Sequence, residues 1–260
     1  MALVTDRCIC LRRYEYSETS QILSLLGRTR GLFRVIAKGA HRRTKAGASK
    51  FDGGIDLLDV GDAAMTDPAE RELATLTEWK LREGHLGLRQ NLRRLHVAVY
   101  SAELVGLLLQ ENDPHPEVFD LLVWLLAELP GERVEEALVA FELELLRKLG
   151  YLPSLDFCRG CGQEMAGQTD AWFIPHEGSV ACGQCGAPAN QRVPLDWRVL
   201  RMIQLILKLP QAAGRPQRLP RLSRAQSDPI NALLLSYLQE TAGRALKTAR
   251  YVVGHQAGRK

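Results

Sequence analysis

Four of the six cysteines stand as two pairs, Cys158-x2-Cys161 and Cys182-x2-Cys185, with twenty residues between them. Two such knuckles joined by a hairpin-length stretch are the ribbon-type spacing that closes a tetrahedron of thiolates around Zn2+. Glycines at 160, 162, 183 and 186 allow the tight turns that wrap a metal. The spacing predicts a structural four-cysteine zinc site with one ion per chain. Catalytic zinc would need an open coordination position and a nearby base. His176 and Glu177 lie between the pairs without forming the H-x-E and P-C-x-x-C arrangement of zinc deaminases, so His176 is expected on the surface of a hairpin. A redox dithiol would need only one C-x-x-C motif and a βαβ context, and disulfides are disfavoured in a chain expected to be cytoplasmic. Cys8 and Cys10 are one residue apart in a strand-like segment, share a face, and are expected as small core residues.

A second chemistry is written in charge. Residues 1–50 hold 11 basic and 3 acidic groups (net +8), residues 51–150 hold 9 and 20 (net −11), and residues 151–260 hold 14 and 7 (net +7). Basic modules suit a polyanion such as nucleic acid, whereas the acidic middle would repel one and suits protein contacts or solubility. The segment from Lys38 to Lys50 is too polar and glycine-rich for a core strand and reads as an exposed basic loop. Arg34, Lys38, His41, Arg42, Arg43, Lys45 and Lys50 are the candidate phosphate contacts. Phe33, Phe51, Tyr14 and Tyr16 are candidate stacking platforms, although each is also a natural core residue. Arg215, Arg218, Arg221, Arg224, Arg244, Lys247 and Arg250 are candidates for a second positive surface. No phosphate-cradling loop, dinucleotide turn, nucleophile elbow or H-E-x-x-H motif occurs, so no catalytic residue is named and an enzyme is not indicated. Glu103, Glu111, Glu128, Glu135, Glu136, Glu142 and Glu144 are expected mostly on solvated helix faces.

These residues need elements to position them. Up to about residue 80 the apolar spacing is short and broken by turns, which predicts strands over Leu3–Arg13, Gln21–Leu26, Gly31–Ala37, Gly54–Met65 and Glu72–Trp79. Five short strands suit a small Greek-key barrel of the oligonucleotide/oligosaccharide-binding (OB) kind. From about residue 84 the period becomes helical. Faces built on Val97, Tyr100, Leu104, Leu107 and Leu108, on Val118, Leu121, Leu122, Leu125 and Leu129, and on Val134, Leu138, Phe141, Leu145 and Leu149 predict three helices, with Pro116 at a first turn and Gly150 as a stop. Later helices are predicted over Leu195–Leu209 and from Pro229 to about Thr248 with Asp228 as cap, separated by a mobile basic linker from Pro210 to Arg224.

The expected fold is α+β and multidomain: an N-terminal five-stranded OB-fold barrel (1–80), a helical domain (81–155), an inserted four-cysteine, zinc-ribbon-like module (156–190), C-terminal helices completing the helical domain (191–253) and a flexible tail (254–260). At 260 residues, 29.0 kDa and 46% hydrophobic residues the chain has enough apolar matter for buried cores. Its longest apolar run, Leu121–Ala127, is far short of a membrane span, and no signal-peptide core is seen near Met1, so a cytoplasmic protein is expected.

Several blocks together resemble a known family. Arg13-Tyr14-Glu15-Tyr16-Ser17-Glu18-Thr19-Ser20, Gly31 and Ala37-Lys38-Gly39-Ala40-His41-Arg42 are similar to the first-barrel signature of the bacterial recombination mediator family RecO. Tyr100-Ser101-Ala102-Glu103-Leu104, the stretch from Glu111 to Pro116, Phe141 to Leu146 and Leu149-Gly150-Tyr151 are similar to its helical segment. Cys158-x2-Cys161-Gly162 falls at the first knuckle of its metal-binding members, and Tyr237-Leu238 with the stretch from Gly243 to Thr248 fits its C-terminal part. The resemblance implies an OB domain, a helical domain and a zinc module in a nonenzymatic, nucleoid-associated protein that binds single- and double-stranded DNA. It further implies partnership with RecR, and in some bacteria RecF, in loading RecA onto DNA coated by single-strand-binding protein, and annealing of complementary strands. Two other readings share most of these residues: a zinc-ribbon scaffold that binds only proteins, and a zinc-dependent nucleic-acid enzyme.

Overall fold

The computed structural model describes residues 3–39, 51, 54–66, 73–209, 211–212, 215–216 and 220–253. The chain forms two compact units, Met1–Ala127 and Glu128–Lys260.

The first unit opens with β1 (Leu3–Ser17), β2 (Ser20–Gly27), β3 (Gly31–Lys38), β4 (Val60–Thr66) and β5 (Ala74–Glu83). They close a barrel in the order β1-β2-β3-β5-β4, antiparallel throughout except for the parallel β3–β5 pair. The expected OB-type barrel is therefore present. β1 serves two neighbours because it is long: Leu3–Ile9 pairs with β4 and Cys8–Ser17 with β2, and a bulge between Cys10 and Arg12 bends it from one to the other. Cys8, Cys10, Leu23, Leu25, Phe33, Val35, Ala37, Met65, Leu76 and Trp79 fill the interior. The two thiols are the core residues expected, and burial pushes both up, Cys10 to about 12. Gly61 is required where it stands, since a Cβ there would meet the Trp79 ring at 2.5 Å.

Strand limits depart from expectation at three places, one being β5, which runs four residues past Trp79 to Glu83. β4 starts at Val60 rather than Gly54, because Asp56–Asp59 closes a turn in which the Asp56 N–H donates to Asp59 Oδ2 at 2.7 Å and Leu58 takes a φ of 71°. β1 continues four residues past Arg13. The unit continues with α1 (Leu92–Leu108), capped by Asn91, whose side chain accepts from the Arg94 N–H, and with α2, which starts at Pro116 as expected and runs to Glu128.

In the second unit α3 (Val134–Lys148) ends beside Gly150, which takes a φ of 76°. A four-stranded sheet follows, ordered β6-β8-β7-β9, from β6 (Ser154–Cys158), β7 (Ala171–Ile174), β8 (Ser179–Cys182) and β9 (Val193–Pro194). Then come α4 (Trp197–Leu207), a hairpin of β10 (Gln211–Ala212) and β11 (Arg215–Pro216), α5 (Arg224–Ala242) and α6 (Ala249–Val252). The hairpin lies within the expected Pro210–Arg224 linker. Tyr237 ties α5 to the sheet: its hydroxyl donates to the Tyr151 carbonyl at 2.7 Å, and its ring meets Phe173 edge-on at 6.0 Å.

Two expectations for this helical part are corrected. α5 begins at Arg224, not Pro229, because Ser223 and Gln226 form a capping box that outcompetes Asp228, and Pro229 falls inside the helix. Nor are the α3 carboxylates all solvated. Glu136, Glu142 and Glu144 are buried, as is Glu103 of α1. Glu136 accepts from the Leu222 N–H at 3.1 Å and Glu135 from the Ser227 hydroxyl at 3.0 Å, so α3 supplies acceptors to the start of α5. Glu144 is pushed up by burial, against the lowering pull of Arg147 at 3.2 Å. No described helix is long and apolar enough to cross a membrane.

Candidate nucleic-acid interface and metal centre

The metal centre is built by the ends of two strands. β6 delivers Cys158 and β8 delivers Cys182, and each strand runs directly into a turn that returns the second cysteine of its pair. In each turn the glycine four residues on donates back to the strand's last carbonyl, Gly162 to Cys158 at 2.9 Å and Gly186 to Cys182 at 3.1 Å. The strand pairing and these two turns bring all four sulfurs within 4.8 Å of one another, with Cys161 and Cys182 at 3.9 Å. Four ligands at Zn–S distances near 2.3 Å stand about 3.8 Å apart in a tetrahedron, so the donor set fits a soft divalent ion of that size. Gly160 is part of the cradle, since a Cβ there would lie 2.8 Å from the Cys185 Cβ and 2.9 Å from its sulfur.

The electrostatics agree with the geometry. Burial acts to raise the Cys158 thiol, but the N–H groups of Cys161, Cys182 and Gly160 overcome it and bring the group down to about 6; the Cys182 N–H lies 3.3 Å from the sulfur. Cys185, in contact with the other three sulfurs, is pushed up to about 12. A divalent cation takes the place of the protons such a cluster would otherwise share. Cys158 and Cys182 are buried, and Cys161 and Cys185 are exposed. His176 stands outside the cluster on a short turn, 3.4 Å from Glu177.

The barrel carries the second constellation on its outer face. Because the bulge shifts the alternation of β1, Arg12 and Tyr14 face outward beyond it in rows across three strands, and Tyr16, at a second irregularity between Glu15 and Ser17, is exposed as well. One row is Arg12, Ser24 and Arg34; the next is Tyr14, Ile22 and Ile36; at the far end Ser17, Ser20 and Lys38 stand in register, with Tyr16 beside Ser17 in the chain. Tyr14 and Tyr16 are 49% and 64% exposed, so both rings are available for stacking. Arg12 and Lys38 enter no ion pair among the described residues. Arg34 does, with its Nε 3.1 Å from Glu111 Oε1. Cations flanking exposed phenol rings on a strand surface neutralise phosphates and stack planar rings, the combination that holds a single-stranded nucleic acid.

Of the residues named from sequence, Arg34 and Lys38 thus share this face, while His41, Arg42, Arg43, Lys45 and Lys50 lie outside the described residues. Phe33 and Phe51, named as stacking candidates, are core residues at 6% and 2% exposure, because β3 turns Phe33 inward with Val35 and Ala37. In the second unit Arg221 and Arg224 are near carboxylates, Glu132 at 3.9 Å and Asp228 at 3.7 Å.

A barrel carrying this face, followed by helices and a four-cysteine knuckle pair, is matched by known sequences over nearly its whole length. Residues 1–85 match the family model for the recombination protein O N terminal, and residues 89–250 that for its C terminal. The chain belongs to the recombination protein O family. Relatives named DNA repair protein RecO include one from Rhodopirellula baltica, 35% identical over 78% of this chain and 74% of the relative. Others come from Pelotomaculum thermopropionicum, 32% identical over 97% of this chain and 94% of the relative, and from Anaeromyxobacter dehalogenans, 30% identical over 94% and 93%. The recombination protein O resemblance noted in the sequence is thereby established.

Arg12 was missed by sequence reasoning, although its signal was there. Arg12, Tyr14 and Tyr16 alternate as a strand surface does, but ending the strand at Arg13 hid the alternation.

Proposed function

We propose that the chain is a nonenzymatic DNA-binding mediator of recombinational DNA repair. The observation that carries the reading is the outward face of β1, β2 and β3, where Tyr14 and Tyr16 stand among Arg12, Arg34 and Lys38. A single strand laid across it would place phosphates against the cations and unpaired bases on the phenol rings, with Lys38, His41, Arg42, Arg43, Lys45 and Lys50 extending the charge along the sequence that follows β3. Duplex DNA would use the same cations without the stacking. Membership of a recombination protein family, with relatives named as DNA repair proteins, supports this role.

Cys158, Cys161, Cys182 and Cys185 would hold one Zn2+, which when bound supplies a cross-link between the two knuckles and no open coordination position. The protein's own part is to present four thiolates, with backbone N–H groups favouring ionisation of Cys158. No bond-making step is required of any residue. In the wider process the chain would act with RecR, and in some bacteria RecF, to load RecA onto DNA coated by single-strand-binding protein, and would anneal complementary strands in the cytoplasm at the nucleoid.

The test is binding of the full chain to a fluorescent single-stranded oligonucleotide over a salt series, with zinc measured on the same sample. Steeply salt-dependent binding with about one zinc per chain is expected. Full zinc occupancy without DNA affinity at low salt would contradict the reading and leave a protein-binding scaffold.

A further inference from the structure

In the second unit the turn between β7 and β8, the segment leading into β9 and one face of α5 enclose an open cleft of about 430 Å3, within the roughly 300–1,000 Å3 of small-molecule sites. Each side is fixed by its own local structure. Gly178, at a φ of 61°, ends the turn Pro175–Glu177 against α5, where a Cβ would lie 2.7 Å from the Tyr237 phenol. That seat brings Pro175 and His176 beside Ser236, Gln239 and Glu240, which are spaced i, i+3 and i+4 on one helix face. The third side, Asn190 to Val193, is anchored where Val193 pairs with Phe173 and Pro194 with Trp172. Arg192 is extended, with φ −132° and ψ 149°, so it shares the face of Pro194 and hence of Trp172. Its guanidinium lies 3.8 Å from the centre of that ring.

The polar groups of this cleft are of one kind. Arg192, Glu240, Asn190, Gln191 and Gln239 all end in planar groups that present two adjacent hydrogen-bonding atoms, and Pro175 and Val193 add apolar surface. Among the described residues these five side chains have no hydrogen-bond or ion-pair partner, and Arg192 meets only the Trp172 ring. Stacking fixes the plane of the Arg192 fork and leaves its N–H edge to an acceptor pair. Planar two-point groups match the edges of a flat heterocycle. Guanine is the base that uses both charged groups: its O6 and N7 accept from a guanidinium, and its N1–H and 2-amino group donate to a carboxylate.

We propose that this cleft binds the guanine ring of a free nucleoside, with Arg192 on O6 and N7 and Glu240 on N1 and the 2-amino group. The charges of Arg192 and Glu240 cancel, which suits a neutral nucleoside and leaves no surplus for a phosphate backbone. The site is therefore independent of the DNA-binding reading. A bound ring would bridge the β7–β8 turn and the β9 segment to α5, and so tie the four-cysteine sheet to the last long helix. Binding to the folded chain alone stabilises it by mass action.

The experiment titrates the full, zinc-loaded chain with guanosine by isothermal calorimetry and repeats the titration with inosine, 7-deazaguanosine and adenosine. Inosine lacks the 2-amino group assigned to Glu240, and 7-deazaguanosine lacks the N7 assigned to Arg192. Guanosine should bind at one per chain and each analogue several-fold more weakly. Arg192→Met, which keeps an apolar stem over Trp172, and Glu240→Gln should each weaken guanosine about 5- to 150-fold, the worth of one two-point contact. Glu240→Gln should also cease to distinguish guanosine from inosine, and Arg192→Met guanosine from 7-deazaguanosine. Each variant is checked by thermal melt and zinc content. Glu240 is exposed on α5, so its variant carries the test should Arg192→Met fail to fold.

Guanosine should further raise the melting temperature of wild type and slow zinc transfer to a chelator. No binding up to about 1 mM guanosine would overturn the proposal, as would equal affinities for guanosine, inosine and adenosine. Undiminished guanosine binding by the folded variants would overturn it too. An oligonucleotide containing dG that displaces guanosine at lower concentration than the nucleoside itself, with steep salt dependence, would also overturn it and assign the cleft to a strand.

Discussion

Glu111→Ala should make this protein bind single-stranded DNA more tightly. Arg34 sits in the middle of the barrel face, in line with Arg12 through Ser24, yet its charge is spent on Glu111 at 3.1 Å. Both side chains are nearly half exposed, so the pair is worth at most about 1 kcal/mol of stability. The backbone contacts that hold the Glu111 segment on β3, including the Asn112 N–H to the Leu32 carbonyl at 2.8 Å, do not involve the side chain. Removing the carboxylate therefore frees a guanidinium while leaving the fold intact. One additional phosphate neutralised steepens the salt slope by about 0.7, which near 0.1 M salt is about fivefold in affinity. Fluorescence anisotropy of a labelled oligothymidylate from about 50 to 200 mM salt reads both quantities. Arg34→Ala/Glu111→Ala should return to the wild-type slope, since neither chain then offers that cation. Unchanged or weaker binding by a Glu111→Ala protein of normal melting temperature would refute the reasoning and remove Arg34 from the interface.

Tyr14→Ala and Tyr16→Ala should each weaken single-strand binding by about 1–3 kcal/mol, or roughly 5- to 150-fold, while changing duplex binding much less, as paired titrations would measure. Gly160→Ala should lower zinc affinity against a chromophoric chelator, because its methyl group would press on Cys185; wild-type affinity would mean that the knuckle relaxes freely. Chelating the metal should expose the four cluster thiols to an alkylating reagent, while Cys8 and Cys10, buried and pushed up, should react only after unfolding; early labelling of either would contradict the barrel packing. Asn231→Leu should raise stability by about 1–3 kcal/mol in denaturant melts, since both polar atoms of this fully buried amide are without hydrogen-bond partners among the described residues.

How much of this was readable from sequence depends on how local the determining physics is. The C-x2-C spacing specifies the thiolate cluster because each knuckle is a short turn, and only the pairing of β6 with β8 remains for the tertiary structure to supply. The barrel was readable as five short apolar segments between turns. Its strand limits were not, because the bulge at Cys10–Arg12 and the Asp56–Asp59 turn depend on partners distant in sequence. The bulge also decides which β1 residues face outward, so Arg12 was overlooked. The α3 carboxylates were misjudged for a similar reason: periodicity places Glu136 on a polar face, but only the approach of Leu222, 86 residues later, explains its burial. α5 shows one local rule overriding another, a complete capping box at Ser223 against a proline that would ordinarily mark a first turn.

Strand binding by the barrel is tested most directly by photocrosslinking. The full chain is irradiated with a single-stranded oligonucleotide carrying halogenated deoxyuridine, and the adducts are mapped by mass spectrometry. Adducts on Tyr14 or Tyr16, lost as salt is raised, are expected. Efficient crosslinking with every adduct outside β1, β2, β3 and residues 39–50 would contradict the assignment of this face to DNA.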